Sequence, residues 1–478
     1  MSEDYPLLIP GTSAAGSVTV SSPFDLKAIG SAGLADSDAI EKALATASAL
    51  YRDRSQWLPG PQRIAILEKT AAIMQERFDY LATEAAREGG KPLTDSRIEV
   101  TRAIDGVRNC AELLRSETGR EIAMGINPAS MNRIAFTSKE PIGVVVAVSA
   151  FNHPLNLIVH QVGPAIAAGC PVIVKPAEDT PLSCMRFVSI LREAGLPEAW
   201  CQACVTEDHE VAQALVTDNR VDFFSFIGSA NVGWMLRSRL APGTRCALEH
   251  GGSAPVVVAA DADLDDMIPA LAKAGFYHAG QVCVSVQRVF ALQTMAEQIA
   301  TAIAVLGNKM TVGDPTLDST DIGPLIRPEE VERVHSWVED ARKKGAKILS
   351  GGSPVSETCY PPTVILDAPA NAIVSNREVF GPVICIYGCE DIDDAIRQAN
   401  SLPFSFQSAV YTRNLDTAMK AYRQLNASAV MVNDHTAFRV DWMPFAGLKI
   451  SGHGTGGIPY TYEDMTVDKM MVIRSGEL

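Results

Sequence analysis

Positive charge is scarce in this sequence. Its 478 residues carry 41 Lys and Arg against 56 Asp and Glu, a formal net charge of −15. A chain of this kind has no basic field that would attract phosphate, which argues against nucleic-acid and anionic-membrane partners. Uninterrupted apolar runs of membrane-spanning length are lacking too, and the first five residues lack the basic and apolar regions of a signal peptide. We therefore predict a cytoplasmic protein without a membrane or nucleic-acid partner.

Disulfide, metal and standard dinucleotide signatures are absent as well. Without a secretion signal, the ten cysteines are expected to be free thiols. Cys201 and Cys204 form an isolated CxxC with no second pair at zinc-like spacing, so no metal site is predicted. A G-x-G-x-x-G sequence is missing from every strand-to-helix turn, which excludes the standard Rossmann fingerprint.

The chain does contain a regular alternation of helices and buried strands. Residues 35–113 have a helical pattern, and apolar runs predict strands at 142–148, 172–175, 221–227, 255–259 and 288–292. Helices are predicted between them, one opening at Pro154 and others at 180–193, after Ser229 and at 264–279, and further helices at 295–306 and 328–344. This order predicts an α/β protein with parallel sheets and two or three domains. Strand-like segments at 133–137 and 470–474 are expected to pair outside the main sheets, for instance with another subunit.

Two glycine-rich segments carry reactive side chains. Cys283 lies in residues 280–288 and Glu249 in residues 248–252. A thiol and a carboxylate can together form an acyl thioester and then hydrolyse it. A buried cysteine and a surface glutamate are the structural alternatives for these two residues.

Two strand ends offer groups for a nucleotide. Gly228 could take a positive φ near a phosphate while Ser229 caps the next helix, although an ordinary capped helix start has the same sequence. Lys175 and Glu178 could bind ribose hydroxyls. A carboxylate there would repel a 2′-phosphate, which favours NAD over NADP.

Several motifs, in order along the chain, resemble those of the aldehyde dehydrogenase superfamily. They are the segment around Cys283 and residues 88–92, 141–143 with 151–154, 378–382 and 444–452. The resemblance spans roughly residues 20–475 and is nearest to the branch of lactaldehyde and phosphonoformaldehyde dehydrogenases. It implies a Rossmann-like cofactor domain (1–118 and 140–250), an α/β catalytic domain (251–450) and a bridging element (119–139 and 460–478). A homodimer or homotetramer is implied too.

The resemblance also implies roles for single residues. Cys283 would be the nucleophile, Asn152 and the backbone N–H of Cys283 would hold the oxyanion, and Glu249 would be the general base for hydrolysis. Members that transfer the acyl group to coenzyme A lack a glutamate at the position of Glu249, so a free acid is the implied product. The cofactor, NAD or NADP, would contact Val148, Ser149, Lys175, Glu178, Gly228, Ser229, Glu378 and Phe380.

Three residues suggest the kind of aldehyde. His153, His160 and Arg439 stand where relatives that oxidise simple alkyl aldehydes usually carry aromatic side chains. We expect them to make the substrate tunnel wet and cationic, suited to a small carboxylate, phosphonate, sulfonate or hydroxyl-bearing aldehyde. The alternatives are that Arg439 ties down its own loop through Asp441 or Asp434, and that the histidines satisfy core polar groups.

The predicted function is NAD(P)-dependent oxidation of a small polar or anionic aldehyde to the acid. A succinate-semialdehyde-type dehydrogenase is an alternative. A non-redox thiol esterase or acyltransferase could use the same Cys283 and Glu249, and a non-enzymatic structural role is the third possibility.

Overall fold

The computed structural model describes residues 3–478. Its N-terminal part contains a small sheet and four helices. These elements are β1 (Glu3–Tyr5), β2 (Gly16–Ser21), β3 (Ala28–Leu34), α1 (Ser37–Arg52), α2 (Gly60–Glu76), α3 (Phe78–Gly89) and α4 (Leu93–Ser116). β3 pairs with β1 on one side and β2 on the other. The helical stretch predicted over 35–113 is confirmed. The three strands were not predicted, because Gly, Ala and Ser dominate β3 and leave no hydrophobic alternation.

A parallel sheet follows. Its region contains β4 (Glu121–Ile122), β5 (Arg133–Pro141), β6 (Val144–Val148), α5 (Asn156–Ala168), β7 (Val172–Lys175), α6 (Pro181–Glu193), β8 (Cys201–Ala203), α7 (His209–Thr217), β9 (Val221–Ile227), α8 (Ala230–Arg237) and β10 (Arg245–Glu249). The strand order is β10–β9–β6–β7–β8, all parallel. The chain moves from β6 to β7 and β8 and then returns to β9, so the carboxyl ends of β6 and β9 flank a topological switch point, where open α/β sheets bind ligands.

The second large sheet contains most of the remaining elements. They are β11 (Pro255–Val258), α9 (Leu264–Phe276), β12 (Arg288–Leu292), α10 (Gln293–Gly307), α11 (Pro328–Lys343), β13 (Lys347–Ser350), β14 (Thr363–Leu366), α12 (Ile373–Asn376), β15 (Val383–Cys389), α13 (Ile392–Ala399), β16 (Phe404–Ser405), β17 (Gln407–Tyr411), α14 (Leu415–Gln424) and β18 (Ala429–Val432). The strand order is β13–β14–β15–β12–β11–β17–β18, and β13 alone runs antiparallel to its neighbour. The predicted α/β class and parallel sheets are confirmed.

The last elements return to earlier parts of the chain. They are β19 (Leu448–Lys449), β20 (Gly452–His453), α15 (Ile458–Asp464) and β21 (Thr466–Arg474). β20 adds to β10 at the edge of the first sheet, and β21 pairs with β5 along its whole length. The two predicted orphan strands therefore lie outside the main sheets, where they pair with each other. The domain boundaries stay a prediction.

The cysteines agree with the expectation of free thiols. All ten cysteines are free thiols, and Cys246 and Cys283 are the two that are not fully buried. Burial raises the pKa of Cys201 and of Cys204 to about 12, which leaves this pair protonated and unreactive. Within residues 3–478, none of the helices combines the length and apolar character needed to cross a membrane.

Candidate active site

Cys283 lies on a loop that is fixed by the buried side chain of Gln281. Gln281 Nε2 donates to the carbonyl oxygens of His278 and Pro324, each at 3.3 Å. Gln281 Oε1 accepts the N–H of Ile326 at 2.9 Å. The backbone of His278 is left-handed, with φ of 49°. These contacts give the chain a sharp turn before Cys283 and present its thiol half-buried at the surface of the loop.

Asn152 lies beside this loop, as predicted. Its Nδ2 donates to the carbonyl oxygen of Gln281 at 2.9 Å, and the side chain is 5% exposed. This contact uses one of the two amide N–H groups and leaves the other for a ligand. The helix predicted to open at Pro154 begins at Asn156, so Asn152 lies in the loop before α5. Glu99 sets this start by accepting two backbone N–H groups at the first residues of the helix.

The Glu249 carboxylate, at the end of β10, rests against Gly456. A Cβ on Gly456 would come within 1.9 Å of Glu249 Oε1, so a larger residue there would have to displace the carboxylate. Burial raises the pKa of Glu249, and the positive charge of Arg439 opposes this rise. A carboxyl group with a raised pKa is suited to accepting a proton at neutral pH.

Three charged groups shift the pKa of the Cys283 thiol. Burial raises its pKa to about 12, Arg439 lowers it, and the carboxylates of Glu378 and Glu249 raise it. The structure therefore brings these four side chains into one electrostatic environment. Because the thiolate is the nucleophilic form, a base must remove the proton before the sulfur can react.

Glu378 lies against the backbone of Gly251 and Gly252, and Phe380 packs against Phe151. The carboxylate of Glu378 accepts the N–H of Gly252 at 3.2 Å and occupies the space over Gly251, where a Cβ would approach it to 1.9 Å. Burial raises the pKa of Glu378 to about 8. Phe380 has a left-handed φ of 47°, and the edge of its ring meets Phe151 at a centroid distance of 5.8 Å.

The switch point of the first sheet presents the other predicted cofactor residues. Val148 ends β6, and Ser149 donates its N–H to the carbonyl of Lys175 at 3.0 Å. The Ser149 hydroxyl is buried without a partner among the described residues. Lys175 Nζ lies 3.4 Å from Glu178 Oε1 at the end of β7. Unpaired polar groups at a strand-end crevice fit a dinucleotide.

Gly228 and Ser229 begin the turn into α8, and the expected positive φ of Gly228 and the expected side-chain cap from Ser229 are both wrong. Gly228 does not have a positive φ. The position favours glycine because an added Cβ would lie 2.8 Å from the Phe226 ring. Ser229 occupies the N-cap position, yet its exposed side chain makes no capping hydrogen bond, which leaves the hydroxyl for a ligand. The turn is held by His250, whose Nδ1 donates to the Gly228 carbonyl at 2.9 Å.

Arg439 belongs to a network in which Asp441 is engaged by other residues. Arg102 binds Asp441 through Nη2 at 2.6 Å and Nε at 3.1 Å, and His160 Nε2 lies 2.6 Å from the same carboxylate. Asp434 accepts the N–H of its neighbour His435. The alternative in which Arg439 ties its loop through either aspartate is therefore wrong. Its Nη2 donates to His160 Nδ1 at 3.3 Å instead.

Arg439 keeps donors for a ligand. Its guanidinium lies over the Phe445 ring, 3.5 Å from the centroid. Nε is enclosed without a partner, and Nη1 makes no hydrogen bond within residues 3–478. The side chain is half-buried beside a cavity of about 520 Å³, which Arg102, Arg108 and Trp442 also line.

The two predicted substrate histidines are neutral, which corrects the expectation that they make the tunnel cationic. Burial and the charge of Arg439 lower the pKa of His160 to about 4. Burial and the charge of Lys91 hold the pKa of His153 well below its usual range. The positive charge of the site therefore comes from Arg439 and Arg102.

Sequence reasoning missed Arg102, Lys91 and Glu99, which all come from the region of α4. Buried charged residues on an amphipathic helix have the same sequence pattern as solvated ones. The motif at residues 88–92 contains Lys91 and was the one available signal.

Similarity to known proteins identifies the family of this chain. The model of the aldehyde dehydrogenase family matches residues 10–471. A 3-sulfolactaldehyde dehydrogenase of Priestia aryabhattai is 37% identical over 441 residues, 92% of this chain and 91% of that protein.

Two solved structures share the fold over nearly the whole chain. Aldehyde dehydrogenase 21 of Physcomitrella patens, in complex with its reaction product succinate, has a TM-score of 0.95 at 32% identity and covers 100% of both chains. The glyceraldehyde-3-phosphate dehydrogenase of Methanocaldococcus jannaschii, complexed with NADP, has a TM-score of 0.91 at 32% identity and covers 96% of this chain and 99% of that one. The chain thus belongs to the aldehyde dehydrogenase family, and it is an oxidoreductase that uses NAD or NADP.

Proposed function

We propose that the protein oxidises a small anionic aldehyde to the corresponding acid through a thioester on Cys283. The observation that carries the proposal is the position of Arg439, whose unpaired donors share one electrostatic environment with Cys283 and Glu249. A guanidinium with free donors next to a nucleophile is suited to holding the far end of a short anionic substrate.

The chemistry would follow from the groups around Cys283. Once deprotonated, its sulfur attacks the aldehyde carbon, and the free N–H of Asn152 and the backbone N–H of Cys283 stabilise the oxyanion. Each such donor contributes about 10²–10³ in rate in comparable sites. A bound NAD or NADP supplies a hydride acceptor, so the carbon leaves this step as a thioester. Glu249 then takes a proton from water, the water oxygen attacks the thioester carbon, and the carbon–sulfur bond breaks.

The anionic substrate class is supported by charge and by similarity. Arg439 and Arg108 line the cavity of about 520 Å³ together with Asp105 and with Arg102, whose charge is paired with Asp441, and the neighbouring histidines are neutral. The relatives described above act on or hold molecules with a sulfonate, a carboxylate or a phosphate. We therefore place a sulfonate, carboxylate, phosphonate or phosphate group against Arg439.

The test is a panel of aldehydes assayed with NAD and with NADP in parallel. It pairs neutral aldehydes with sulfo-, phospho- and carboxy-aldehydes of similar length, including succinate semialdehyde. We expect the anionic members to have the higher kcat/KM, and Arg439→Met to lower this preference by about 10–100-fold, as loss of a charged hydrogen bond does. Arg439→Lys should recover part of the preference, since it keeps the charge and loses the planar fork.

A matched control separates the effect of Arg439 on substrate preference from a general loss of activity or stability. Arg423→Met removes an exposed arginine on α14 and should leave the preference unchanged. An unchanged preference in Arg439→Met would contradict the anion site. A complete lack of NADH or NADPH formation across the panel, together with hydrolysis of thioesters or esters, would favour the non-redox alternative.

We also propose NAD as the preferred cofactor. Glu178 stands at the end of β7, next to Lys175, at the crevice where a ribose would lie. A carboxylate in this position disfavours a 2′-phosphate by charge repulsion. Glu178→Gln should therefore raise the ratio of NADP-dependent to NAD-dependent kcat/KM, and an unchanged ratio would contradict this preference.

A further inference from the structure

A buried ion pair lies directly behind His153. Lys91 and Glu99 are 1% and 0% exposed at their side chains, and Lys91 Nζ is 2.5 Å from Glu99 Oε2. The same ammonium lies 2.7 Å from His153 Nδ1. Glu99 uses its other oxygen to accept the first N–H groups of α5. The pair is thereby fixed to the helix that follows Asn152.

This contact determines the tautomer of His153. Burial lowers the pKa of Lys91, and the ion pair with Glu99 opposes this by favouring the ammonium form. An ammonium has donors and no acceptor, so Nδ1 accepts and the ring proton resides on Nε2. A second proton would place a positive ring against Lys91 in a buried setting, which keeps the pKa of His153 well below its usual range. His153 is therefore a neutral ring with one fixed N–H.

The Nε2 side of the ring faces open space. The ring is half-buried, whereas the Lys91 side chain behind it is almost completely enclosed. Nε2 makes no hydrogen bond within the described residues, and it is not one of their enclosed, unpartnered atoms. Tyr277 stacks beside the ring, with centroids 6.1 Å apart. The fixed N–H is therefore open to a ligand, and His153 is the residue that follows Asn152 in the chain.

We propose that His153 donates a hydrogen bond to a hydroxyl group on the carbon next to the aldehyde carbon, with Lys91 as the residue that positions it. This inference rests on the proposed function and narrows its substrate to 2-hydroxyaldehydes that carry an anionic group. With the carbonyl oxygen on Asn152 and the anion on Arg439, the 2-hydroxyl lies between the two and within reach of the next side chain. A site with such a donor discriminates against the deoxy analogue, whose binding leaves the polar group unpaired.

The first test compares two substrates that differ only in this hydroxyl. 3-Sulfolactaldehyde and 3-sulfopropanal are assayed with the parent protein, His153→Phe and His153→Gln, and the ratio of the two kcat/KM values is the readout. We expect the ratio to favour the hydroxylated substrate in the parent. His153→Phe should lower it by about 10–100-fold, and His153→Gln, which keeps a donor, should recover most of it.

The outcomes distinguish this inference from the proposed function. Oxidation of both substrates with a parental ratio near one, or an unchanged ratio in His153→Phe, would overturn the role of His153 and leave the anionic-aldehyde proposal intact. Oxidation of neither substrate would contradict the proposed function itself. Because a ratio is compared, a general loss of activity in a variant cancels.

The second test examines Lys91 without a kinetic readout. Nitrogen NMR of protein labelled with ¹⁵N-histidine, assigned with His153→Gln, should show the Nε2–H tautomer of His153 throughout the neutral range. An Nδ1–H tautomer, or titration near neutral pH, would overturn the positioning role. In Lys91→Met, the ring proton of His153 should no longer be fixed on Nε2, and the Nδ1–H tautomer should also be populated. The double variant Lys91→Met/Glu99→Gln serves if the single change unfolds the protein, since an unpaired buried charge is strongly destabilising.

Discussion

At the residue scale, the reactivity of Cys283 depends on the charges around its sulfur. Burial raises the pKa of the thiol to about 12, and Arg439 is the positive group that opposes this. The two nearby carboxylates act in the other direction. The same arginine that would hold a substrate anion therefore also helps to form the thiolate.

This gives a prediction for the pH dependence of the reaction. The thiolate fraction rises with pH, so kcat/KM for a neutral aldehyde should increase from neutral pH towards alkaline pH. Removal of the positive charge in Arg439→Met raises the thiol pKa further, so the alkaline limb should move to higher pH. Arg423→Met is the control. If the alkaline limb of kcat/KM stays at the same pH in Arg439→Met, a group other than Arg439 controls the ionisation of the Cys283 thiol.

Glu249 gives a second prediction at this scale. In Glu249→Gln, formation of the thioester can proceed while its hydrolysis lacks a base. We expect a rapid burst of NADH of about one equivalent per site, followed by slow turnover, in stopped-flow absorbance. Glu357→Gln, at an exposed position, is the control. Steady turnover at the parental rate without a burst would contradict the assignment of the base.

Single residues differ in how far the sequence revealed them. Cys283 and Glu249 lie in glycine-rich motifs, and the resemblance to a known family pointed to both. Arg102 gave no such signal, and the motif at residues 88–92 contained Lys91 without indicating its role, because their partners Asp441 and Glu99 are identified only when the folded chain brings them together. The protonation of His153 and His160 was predicted incorrectly for the same reason.

At the scale of elements, the short β20 and the loop after it form one wall of the Glu249 site. β20 pairs with the end of β10, and this pairing brings Gly456 against the Glu249 carboxylate. The motif at residues 444–452, which leads into β20, could be seen in the sequence. The contact of Gly456 with Glu249 could not, since the two residues are about 200 residues apart.

Gly456→Ala should therefore impair hydrolysis of the thioester. The added Cβ would lie 1.9 Å from Glu249 Oε1 and must displace the carboxylate. We expect kcat to fall by at least about 10-fold, since small misplacements of catalytic groups have effects of this order. Steady-state assays with Thr455→Ala as the control would measure it. Parental kcat in Gly456→Ala would mean that the carboxylate moves without loss of function.

At the scale of the whole molecule, the paired strands β5 and β21 form a ribbon outside both large sheets. Its solvent-facing side chains include Ile134, Phe136, Met470, Met471, Val472 and Ile473, which are 41–55% exposed. Clustered exposed apolar side chains on an edge indicate a contact with another chain. The strands were predictable from their composition, whereas their mutual pairing was not, because more than 300 residues separate them.

We expect the protein to be an oligomer held in part by this ribbon. Phe136 and Met471 are directly opposite each other, so Phe136→Lys/Met471→Lys places two like charges on one face. Size-exclusion chromatography with light scattering should give a smaller particle, with helix content retained by circular dichroism. Glu477→Lys is the control at an exposed position. A parental particle of one chain, or an unchanged mass in the double variant, would contradict an interface at this ribbon.

The carboxylate of Asp441 joins two halves of the molecule mechanically. It follows the last strand of the second large sheet, while Arg102, Asn156 and His160, which hold it, lie on α4 and α5 beside the first sheet. A hinge opening of the nucleotide crevice would have to stretch these hydrogen bonds or carry α4 and α5 along with the loop. Asp441 is thus one of the contacts that hold the two halves together, and Asp441→Asn would weaken its hydrogen bonds to both α4 and α5.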